Sequence, residues 1–389
     1  MRRPSAASLD MIRRLIAFDT TSRDSNLALI EFVRDYLADL GVASELFFDE
    51  SGTKANLFAT LGPSGDGGII LSGHTDVVPV DGQDWSSDPF AVVERNGRLY
   101  GRGTCDMKSF IAVALALSPE LLERKPRTPV HLAFSYDEEV GCLGVRGMLS
   151  ELVRRGIRPI GCVVGEPTEM RPIRAHKGKL SLRCEVHGFE CHSALAPRGV
   201  NAIQYAADII AELNRIGRRF RDAGPYDREF DVPYTTVHTG VIRGGTALNI
   251  VPKDCWFDFE IRHLPADDPH SIFGRLRDFV DTTLTPEMRR VAPASGVTWR
   301  ELSRFPGLST DENAEITQIV KSASGGNSTG KVAFGTEAGL YQGSGIPTIV
   351  CGPGSIDQAH KPDEFVALEQ IALCEEFIRR LVLRAASRA

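Results

Sequence analysis

The chain has 389 residues, of which 42% are hydrophobic and 25% are charged, and its net charge at pH 7 is -6. That length allows two or more domains, and the acidic balance argues against general binding to nucleic acids or membrane surfaces. No stretch approaches the roughly 20 apolar residues of a membrane span, and MRRPSAASLD has no apolar segment behind its arginines to serve as a secretory signal.

Helices alternate with short apolar runs in the first and last parts of the chain. Helical spacing marks SLDMIRRLIAF and NLALIEFVRDYLADLG, and Gly41, the last residue of the second segment, supplies the helix stop. The apolar runs are NLFATLG, GIILSGH, VHLAFSYDEE, IGCVVGEPT and, near the C-terminus, IPTIVCGPGS. Short apolar runs separated by helices are typical of buried parallel strands. The sequence therefore predicts an α/β fold with a mostly parallel sheet flanked by helices.

The middle of the chain has a different pattern. LSLRCEVHG alternates as a half-exposed strand does, a helix follows in NAIQYAADIIAELNRI, and two alternating strands come next, TTVHTGVIRGG and CWFDFEIRHLP. A second helix, SIFGRLRDFVDTTL, precedes a fourth strand, GVTWRELSRF. The order β-α-β-β-α-β is that of a two-layer sandwich. We therefore expect residues 180–307 to form an inserted lid and dimerisation domain within a catalytic domain made of residues 1–179 and 308–389.

Acidic and imidazole side chains follow the predicted strands of the first domain or lie in the loops near them. They are, in chain order, His74, Asp76, Asp106, Asp137, Glu138, Glu139, Glu166 and His360. In an open α/β sheet, ligands bind outside the carboxyl ends of the strands, and so many carboxylates are costly to bury without a cation. Imidazole and carboxylate groups suit zinc. Two imidazoles and three carboxylates would make five ligands, which is more than a three-ligand site uses. Such a set favours two ions that share a bridging carboxylate.

The motifs SGHTDVVPV, YGRGTCDMKS, SYDEEVG, GEPT and AHKPDEF occur in this order. Together they resemble the dizinc deacylase and carboxypeptidase family, the aminoacylase-type metallopeptidases. This family includes aminoacylases, glutamate carboxypeptidases, succinyl-diaminopimelate desuccinylases and acetylornithine deacetylases. The segments RGVNAI, GTEAGL and CGPGSIDQAHKPDEF are most similar to the acetylornithine deacetylase branch. The resemblance extends over most of the chain, and its motif set is highly specific.

The resemblance implies a role for each of these residues. One ion would be held by His74, Asp106 and Glu166, and the other by Asp106, Glu139 and His360. Asp106 would thus bridge the two ions, and the Asp106–Met107 peptide is expected to be cis. Asp76 would fix the tautomer of His74 through the other ring nitrogen. Glu138 would be the general base that removes a proton from the attacking water.

Three residues of the middle segment complete the implied site. His192, in GFECHSALAPRG, would stabilise the transition state, and whether it serves its own subunit or a partner stays open. Asn249 and Arg262 would bind substrate, although Arg262 could equally be the partner of a structural ion pair. The roles of Glu337 and His176 are left open.

The implied activity is a two-metal hydrolysis that removes the acyl group from a small N-acylated amino acid. The resemblance points to N2-acetyl-L-ornithine, giving L-ornithine and acetate in arginine biosynthesis. A succinyl-diaminopimelate desuccinylase, a general aminoacylase or a dipeptidase would use the same ligands. A non-catalytic metal-binding scaffold is the remote alternative. Such a protein would most simply lack the base or one of the ligands, whereas this chain has Glu138 and all five ligand residues.

The family resemblance and the composition also predict the cofactors, the oligomeric state and the cellular location. We expect two divalent zinc ions, with cobalt able to substitute, and a homodimer formed through the inserted domain. No nucleic-acid or membrane partner is expected. The eight cysteines are scattered without a CxxC pair, which suits a reducing compartment. A soluble cytoplasmic protein is the prediction.

Overall fold

The computed structural model describes residues 2–63 and 67–386. The chain folds into two compact units. The first comprises Met1–Ala175, Leu308–Lys331 and Thr336–Ala389, and the second comprises His176–Gly307 and Val332–Gly335. Each unit has its own cluster of buried apolar side chains.

The first unit is built on a sheet that has nine strands among the described residues. The strands are β1 (Ser44–Phe48), β2 (Ala55–Leu61), β3 (Ile69–His74), β6 (Val130–Ser135), β7 (Gly161–Pro167), β8 (Ile173–His176), β13 (Leu308–Ser309), β14 (Gly330–Val332) and β15 (Thr348–Gly352). Their order is β1-β2-β6-β3-β7-β15-β8-β13, with β14 paired to β8. The central pairs β6–β3, β3–β7 and β7–β15 are parallel. The predicted α/β fold with a mostly parallel central sheet is therefore confirmed.

Helices cover this sheet. They are α1 (Ala6–Ile16), α2 (Leu27–Asp39), α3 (Lys108–Glu123), α4 (Val145–Arg154), α8 (Glu315–Ser324), α9 (Ala338–Gly343) and α10 (Leu368–Ala386). Most of α3 is buried, as its apolar sequence FIAVALAL requires, because a helix that is hydrophobic all round must lie inside the protein. This central helix begins two residues after Asp106. Its packing therefore fixes where the Asp106 loop can lie.

The first unit also contains a small second sheet that was not predicted from the sequence. It joins β4 (Val93–Arg95), β5 (Arg98–Tyr100) and β16 (Phe365–Ala367) in antiparallel pairs. Strands of three residues are too short to show a period, although the Asn96-Gly97 turn between β4 and β5 is a typical hairpin signal. The sheet matters because β5 leads into the Asp106 loop and β16 follows the His360 loop.

The second unit is a four-stranded antiparallel sheet with helices on one face. Its strands are β9 (Gly178–His187), β10 (Thr236–Gly244), β11 (Asp254–His263) and β12 (Gly296–Phe305), in the order β10-β11-β9-β12. Residues of β9 and β11 alternate between buried and half-buried positions, so one face packs against α5 (Ala202–Ala223) and α6 (Pro269–Phe279). Asn201 and Asp268 cap these helices by accepting backbone hydrogen bonds.

Two details of the second unit differ from the expectations. The predicted helix over 271–284 is divided into α6, a π-helical turn at Val280–Leu284, and α7 (Thr285–Val291). Strand β9 begins at Gly178, two residues before the predicted boundary at 180. The assignment of catalytic and lid roles to the two parts of the chain stays a prediction. Within the described residues, no helix is long and apolar enough to cross a membrane.

Candidate metal centre

Three neighbouring strands of the first unit bring their carboxyl ends to one edge of the sheet. Strand β3 ends at His74, β6 ends immediately before the loop that carries Glu138 and Glu139, and Glu166 lies near the end of β7. Because β6, β3 and β7 are adjacent and parallel, these side chains are delivered to the same place. This is the edge at which open α/β sheets bind ligands.

The carboxylate of Asp106 lies between two imidazoles. Its Oδ1 is 3.0 Å from His74 Nε2, and its Oδ2 is 3.3 Å from His360 Nε2. The side chain of Asp106 is only 7% exposed, whereas that of His360 is 53% exposed. The Asp106–Met107 peptide is cis, as expected. One carboxylate that faces two imidazoles with separate oxygens has the arrangement of a bridging ligand.

The remaining two predicted ligands each lie beside one of these imidazoles. Glu166 Oε1 is 3.8 Å from His74 Nε2. Glu139 Oε2 is 3.1 Å from His360 Nε2. His74, Asp106 and Glu139 also have ligand atoms within 4.8 Å of one another, so the five side chains form one cluster. Their division between two ions stays a prediction.

Asp76 has more contacts than the sequence suggested. The expected partner of His74 Nδ1 was the Asp76 carboxylate, but the closer group is the backbone carbonyl of Asp76 at 2.9 Å, with Oδ1 at 3.4 Å. The carboxylate itself accepts hydrogen bonds from the backbone N–H groups of Glu138 and Glu139, at 3.1 and 3.2 Å. Ser22 Oγ donates a further one at 2.7 Å. Asp76 therefore links the end of β3 to the loop after β6.

Glu138 lies beside the ligand groups. Ligand atoms of Glu138, His74 and Glu166 are all within 4.8 Å of one another. Glu138 Oε1 also accepts a contact from the thiol of Cys142 at 3.3 Å. A carboxylate at this position can reach a small molecule held between the imidazoles.

The crowding of acids changes their protonation. Burial, with the neighbouring Glu139 and Asp106 charges, raises the pKa of Glu138 to about 8. Burial and the charge of Asp106 raise the pKa of Glu139 to about 6 and hold that of Glu166 well above its usual value. Asp106 is the exception: burial raises its pKa, but hydrogen bonds from His360 and His74 outweigh burial and lower it. These carboxylates need a positive partner.

In the protein without metal, the two imidazoles supply this positive charge by favouring their protonated forms. Hydrogen bonds to Asp106 and Glu139 raise the pKa of His360 to about 10. Burial lowers the pKa of His74, but the hydrogen bonds to Asp106 and Asp76 are stronger and hold it well above its usual value.

The cluster fits divalent metal ions. Nitrogen and oxygen ligands bound to zinc at about 2.0–2.2 Å lie roughly 3–4 Å from one another, and the ligand atoms here are separated by 3.0 to 3.8 Å. Cations at this place would also compensate the buried carboxylates without protons. Two imidazoles and three carboxylates are the donor set that zinc accepts.

Glu337, whose role the sequence left open, is buried in the first unit. Its two oxygens accept hydrogen bonds from Ser72 Oγ at 2.6 Å and Ser135 Oγ at 2.7 Å. Ser72 is in β3 and Ser135 ends β6, so one carboxylate connects two ligand-bearing strands. Burial raises the pKa of Glu337. These two contacts favour a supporting role in the strand framework.

The remaining predicted residues are in the second unit. His192 and Asn249 lie on adjacent segments, because His192 pairs with Ile250 in an isolated bridge and Ser193 N donates to Asn249 O at 3.0 Å. Both side chains are exposed. Arg262 Nε donates to Glu260 Oε1 at 3.0 Å, which is the ion pair named as its alternative role. His176 is buried, and burial lowers its pKa to about 4, so it is a neutral core histidine.

Comparison with known proteins adds to this geometry. The model of peptidase family M20/M25/M40 matches residues 70–384. An acetylornithine deacetylase of Myxococcus xanthus is 37% identical over 379 residues, which are 95% of each chain. Another, of Pasteurella multocida (strain Pm70), is 34% identical over 382 residues, which are 96% of this chain and 97% of that protein.

Among solved structures, the chain is similar to Sso-CP2, an M20 family metallo-carboxypeptidase of Sulfolobus solfataricus. The TM-score is 0.78 at 16% identity, and the match covers 98% of this chain and 100% of the other. At that identity the likeness concerns the fold alone.

Proposed function

We propose, from the premise that this chain belongs to peptidase family M20/M25/M40, that it deacetylates N2-acetyl-L-ornithine. Membership in this family makes the protein a metal-dependent amidohydrolase. The products of the proposed reaction are L-ornithine and acetate, which gives the enzyme a place in arginine biosynthesis. The choice of substrate rests on the nearly full-length similarity of this chain to two acetylornithine deacetylases, at 37% and 34% identity.

Two zinc ions are part of the proposal. His74, Asp106 and Glu166 would hold one ion, and Asp106, Glu139 and His360 the other. When bound, such ions polarise an amide carbonyl and lower the pKa of water. Cobalt accepts the same nitrogen and oxygen ligands, so it should substitute.

Glu138 is the proposed proton carrier. Its carboxylate takes a proton from the attacking water as the new C–O bond forms, and then gives the proton to the amine nitrogen as the C–N bond breaks. Glu138 does not belong to either ligand set, so its carboxylate is free to move the proton. Asp76 supports the step by holding the backbone of Glu138 and Glu139.

The second unit supplies the other proposed roles. His192 would donate a hydrogen bond to the developing oxyanion, and Asn249 and Arg262 would bind the substrate carboxylate. The exposed edge strand β10 and the fully exposed Leu248 support a homodimer formed through this unit. All eight cysteines are free, which supports a cytoplasmic location.

A substrate panel tests the proposed function. The panel contains N2-acetyl-L-ornithine, N-acetyl-L-norvaline, N-acetyl-L-methionine, N-succinyl-diaminopimelate and a dipeptide, each with zinc and again after chelation. N-acetyl-L-norvaline is the matched control, because it lacks only the side-chain amine of the ornithine derivative. A charged hydrogen bond contributes about 1.5–3 kcal/mol, so kcat/KM should fall by about 10–100-fold without that amine.

Three outcomes of the panel would contradict the proposal in different ways. Equal rates on the norvaline and ornithine derivatives would refute recognition of the amine. Fastest hydrolysis of the succinyl substrate or the dipeptide would assign the enzyme to another branch of its family. Activity that survives complete chelation would contradict the metal dependence itself.

Proton release gives a second test of the metal site. With its pKa raised to about 10, His360 carries a proton at pH 7.5 before metal binds, and the raised pKa of His74 favours its protonated form as well. Zinc binds neutral imidazole, so uptake must expel these protons, and affinity must rise with pH. Calorimetric titration with zinc in buffers of different ionisation enthalpy should show this release.

The control for proton release is His192→Asn, which changes a histidine outside the cluster. It should release as many protons as the unaltered protein. Heats that do not depend on the buffer would contradict the protonated state of the metal-free cluster.

A further inference from the structure

A buried ion pair lies behind the proposed ligands in the first unit. Arg102 Nη1 is 2.6 Å from Glu364 Oε2, and both side chains are 1% exposed. Neither residue belongs to the predicted site. Burying two charges is costly unless further hydrogen bonds satisfy them, so the other contacts of the pair indicate what it does.

On one side, the pair holds the backbone of the Asp106 loop. Glu364 Oε1 accepts hydrogen bonds from the backbone N–H groups of Cys105 at 2.8 Å and Asp106 at 3.0 Å. The backbone carbonyl of Glu364 accepts another from Gly101 N at 3.0 Å. Glu364 therefore fixes the main chain of the residue whose carboxylate faces both imidazoles.

On the other side, the pair reaches the His360 loop. Arg102 Nη2 donates to Gln83 Oε1 at 2.6 Å, and Gln83 Nε2 donates to the backbone carbonyl of His360 at 3.1 Å. Arg102 Nη1 also lies 3.4 Å from the carbonyl oxygen of Lys361. The guanidinium is 5.1 Å from the Trp85 ring centroid. A continuous chain of hydrogen bonds thus joins the backbones of Asp106 and His360.

We propose that Glu364, Arg102 and Gln83 form a clamp that holds Asp106 and His360 at the separation required by the second metal ion. This rests on the proposed function, since it takes the second ion to be held by Asp106, Glu139 and His360. The clamp residues are positioning residues and touch neither ion. Asp106 is shared by both ions, but His360 belongs to the second ion alone, whereas His74 and Glu166 lie at the ends of β3 and β7. Loss of the clamp should therefore weaken the second site more than the first.

A zinc titration tests the clamp. Glu364→Gln keeps the size of the side chain but removes the charge opposite Arg102 and one of the acceptor oxygens. Loss of an outer-shell partner costs about 10–100-fold in metal affinity. The unaltered protein should bind two zinc ions, and the variant should bind the second about 10–100-fold more weakly, with a clearly smaller loss at the first. The readout is competition with a chromophoric chelator, so activity is not needed.

The matched control is Glu375→Gln. Glu375 is also buried, and it accepts hydrogen bonds from Ser5 N at 2.9 Å and Ser5 Oγ at 2.7 Å, remote from the ligand loops. A merely structural ion pair would make the two variants alike, with both sites changed equally or neither. The clamp predicts that Glu375→Gln binds both ions as the unaltered protein does.

A second variant keeps the test decisive if Glu364→Gln does not fold. Gln83→Ala changes a half-buried side chain and removes the link to the His360 carbonyl together with the acceptor of Arg102 Nη2 and Trp85 Nε1. It leaves the Arg102–Glu364 pair in place, so it should fold and still weaken the second site selectively. Affinity for the second ion equal to that of the unaltered protein, in folded Glu364→Gln or in Gln83→Ala, would overturn the clamp. An unaltered protein that takes up fewer than two ions would instead overturn the proposed ligand set, and the clamp with it.

Discussion

Glu138→Gln is expected to lower kcat for N2-acetyl-L-ornithine by about 10²–10⁴-fold, the usual contribution of general acid–base catalysis. The variant should still fold and bind two zinc ions. Glutamine has almost the same shape as glutamate but cannot take up the proton of the attacking water. Ligand atoms of Glu138, His74 and Glu166 lie within 4.8 Å of one another, but Glu138 is in neither of the two proposed ligand sets. Loss of the proton transfer alone is therefore expected.

The neighbouring residue provides the matched control. Glu139→Gln makes the same chemical change one residue later, at a carboxylate 3.1 Å from His360 Nε2. It should lose activity together with the second zinc ion, whereas Glu138→Gln should lose activity alone. Metal analysis and steady-state rates on the two variants separate the roles. A fully active Glu138→Gln protein would refute the proposed mechanism.

Asp106→Ala is expected to remove the dinuclear centre. Asp106 faces His74 with one oxygen and His360 with the other, so in the proposed centre its loss would deprive both ions of a ligand. The decrease in affinity for each ion should exceed the roughly 10–100-fold that the loss of an outer-shell partner causes. Zinc content after gel filtration and chelator competition measure the effect, and activity should be lost with the metal.

Asp137→Asn is the control for Asp106→Ala. Asp137 lies in the loop after β6, but its carboxylate pairs with Lys54 Nζ at 2.6 Å and belongs to neither ligand group. That variant should keep two ions. If Asp106→Ala retained both ions at unchanged affinity, Asp106 would not be a bridging ligand.

The sequence contained enough to predict the framework of the site. His74 and Glu166 are near the ends of apolar runs, and Glu138 and Glu139 follow another such run. Because the carboxyl ends of parallel strands lie at one edge of a sheet, these residues are expected to lie together. His360 is different, because it lies in an irregular loop eight residues beyond β15 (Thr348–Gly352). Its place was inferred from the resemblance of AHKPDEF to a known motif, since no period or spacing indicates where such a loop folds.

The supporting contacts could not be predicted in this way. Asp76 was expected to contact His74, but its hydrogen bonds to the backbone of Glu138 and Glu139 depend on how two strands meet. Arg102 and Glu364 are 262 residues apart in the chain. A charged residue in a sequence is usually read as exposed, and only the tertiary structure shows that these two are buried together.

Glu337 is another residue whose contacts could not be predicted from the sequence. From GTEAGL alone it could have contacted a substrate amine or a neighbouring loop, because both need a carboxylate. The structure places it between Ser72 and Ser135, beneath the ends of two strands. Local sequence specifies the chemistry of such a side chain, and long-range packing determines which partner it meets.

The central claim is that this enzyme binds two metal ions between His74, Asp106, Glu139, Glu166 and His360. Anomalous diffraction from a zinc-loaded crystal, measured on both sides of the zinc absorption edge, tests it most directly. We predict two zinc peaks per chain, both within bonding distance of Asp106, one beside His74 and Glu166 and the other beside Glu139 and His360. A chain that retains its zinc elsewhere, or that shows no peak bonded to Asp106, would contradict the account.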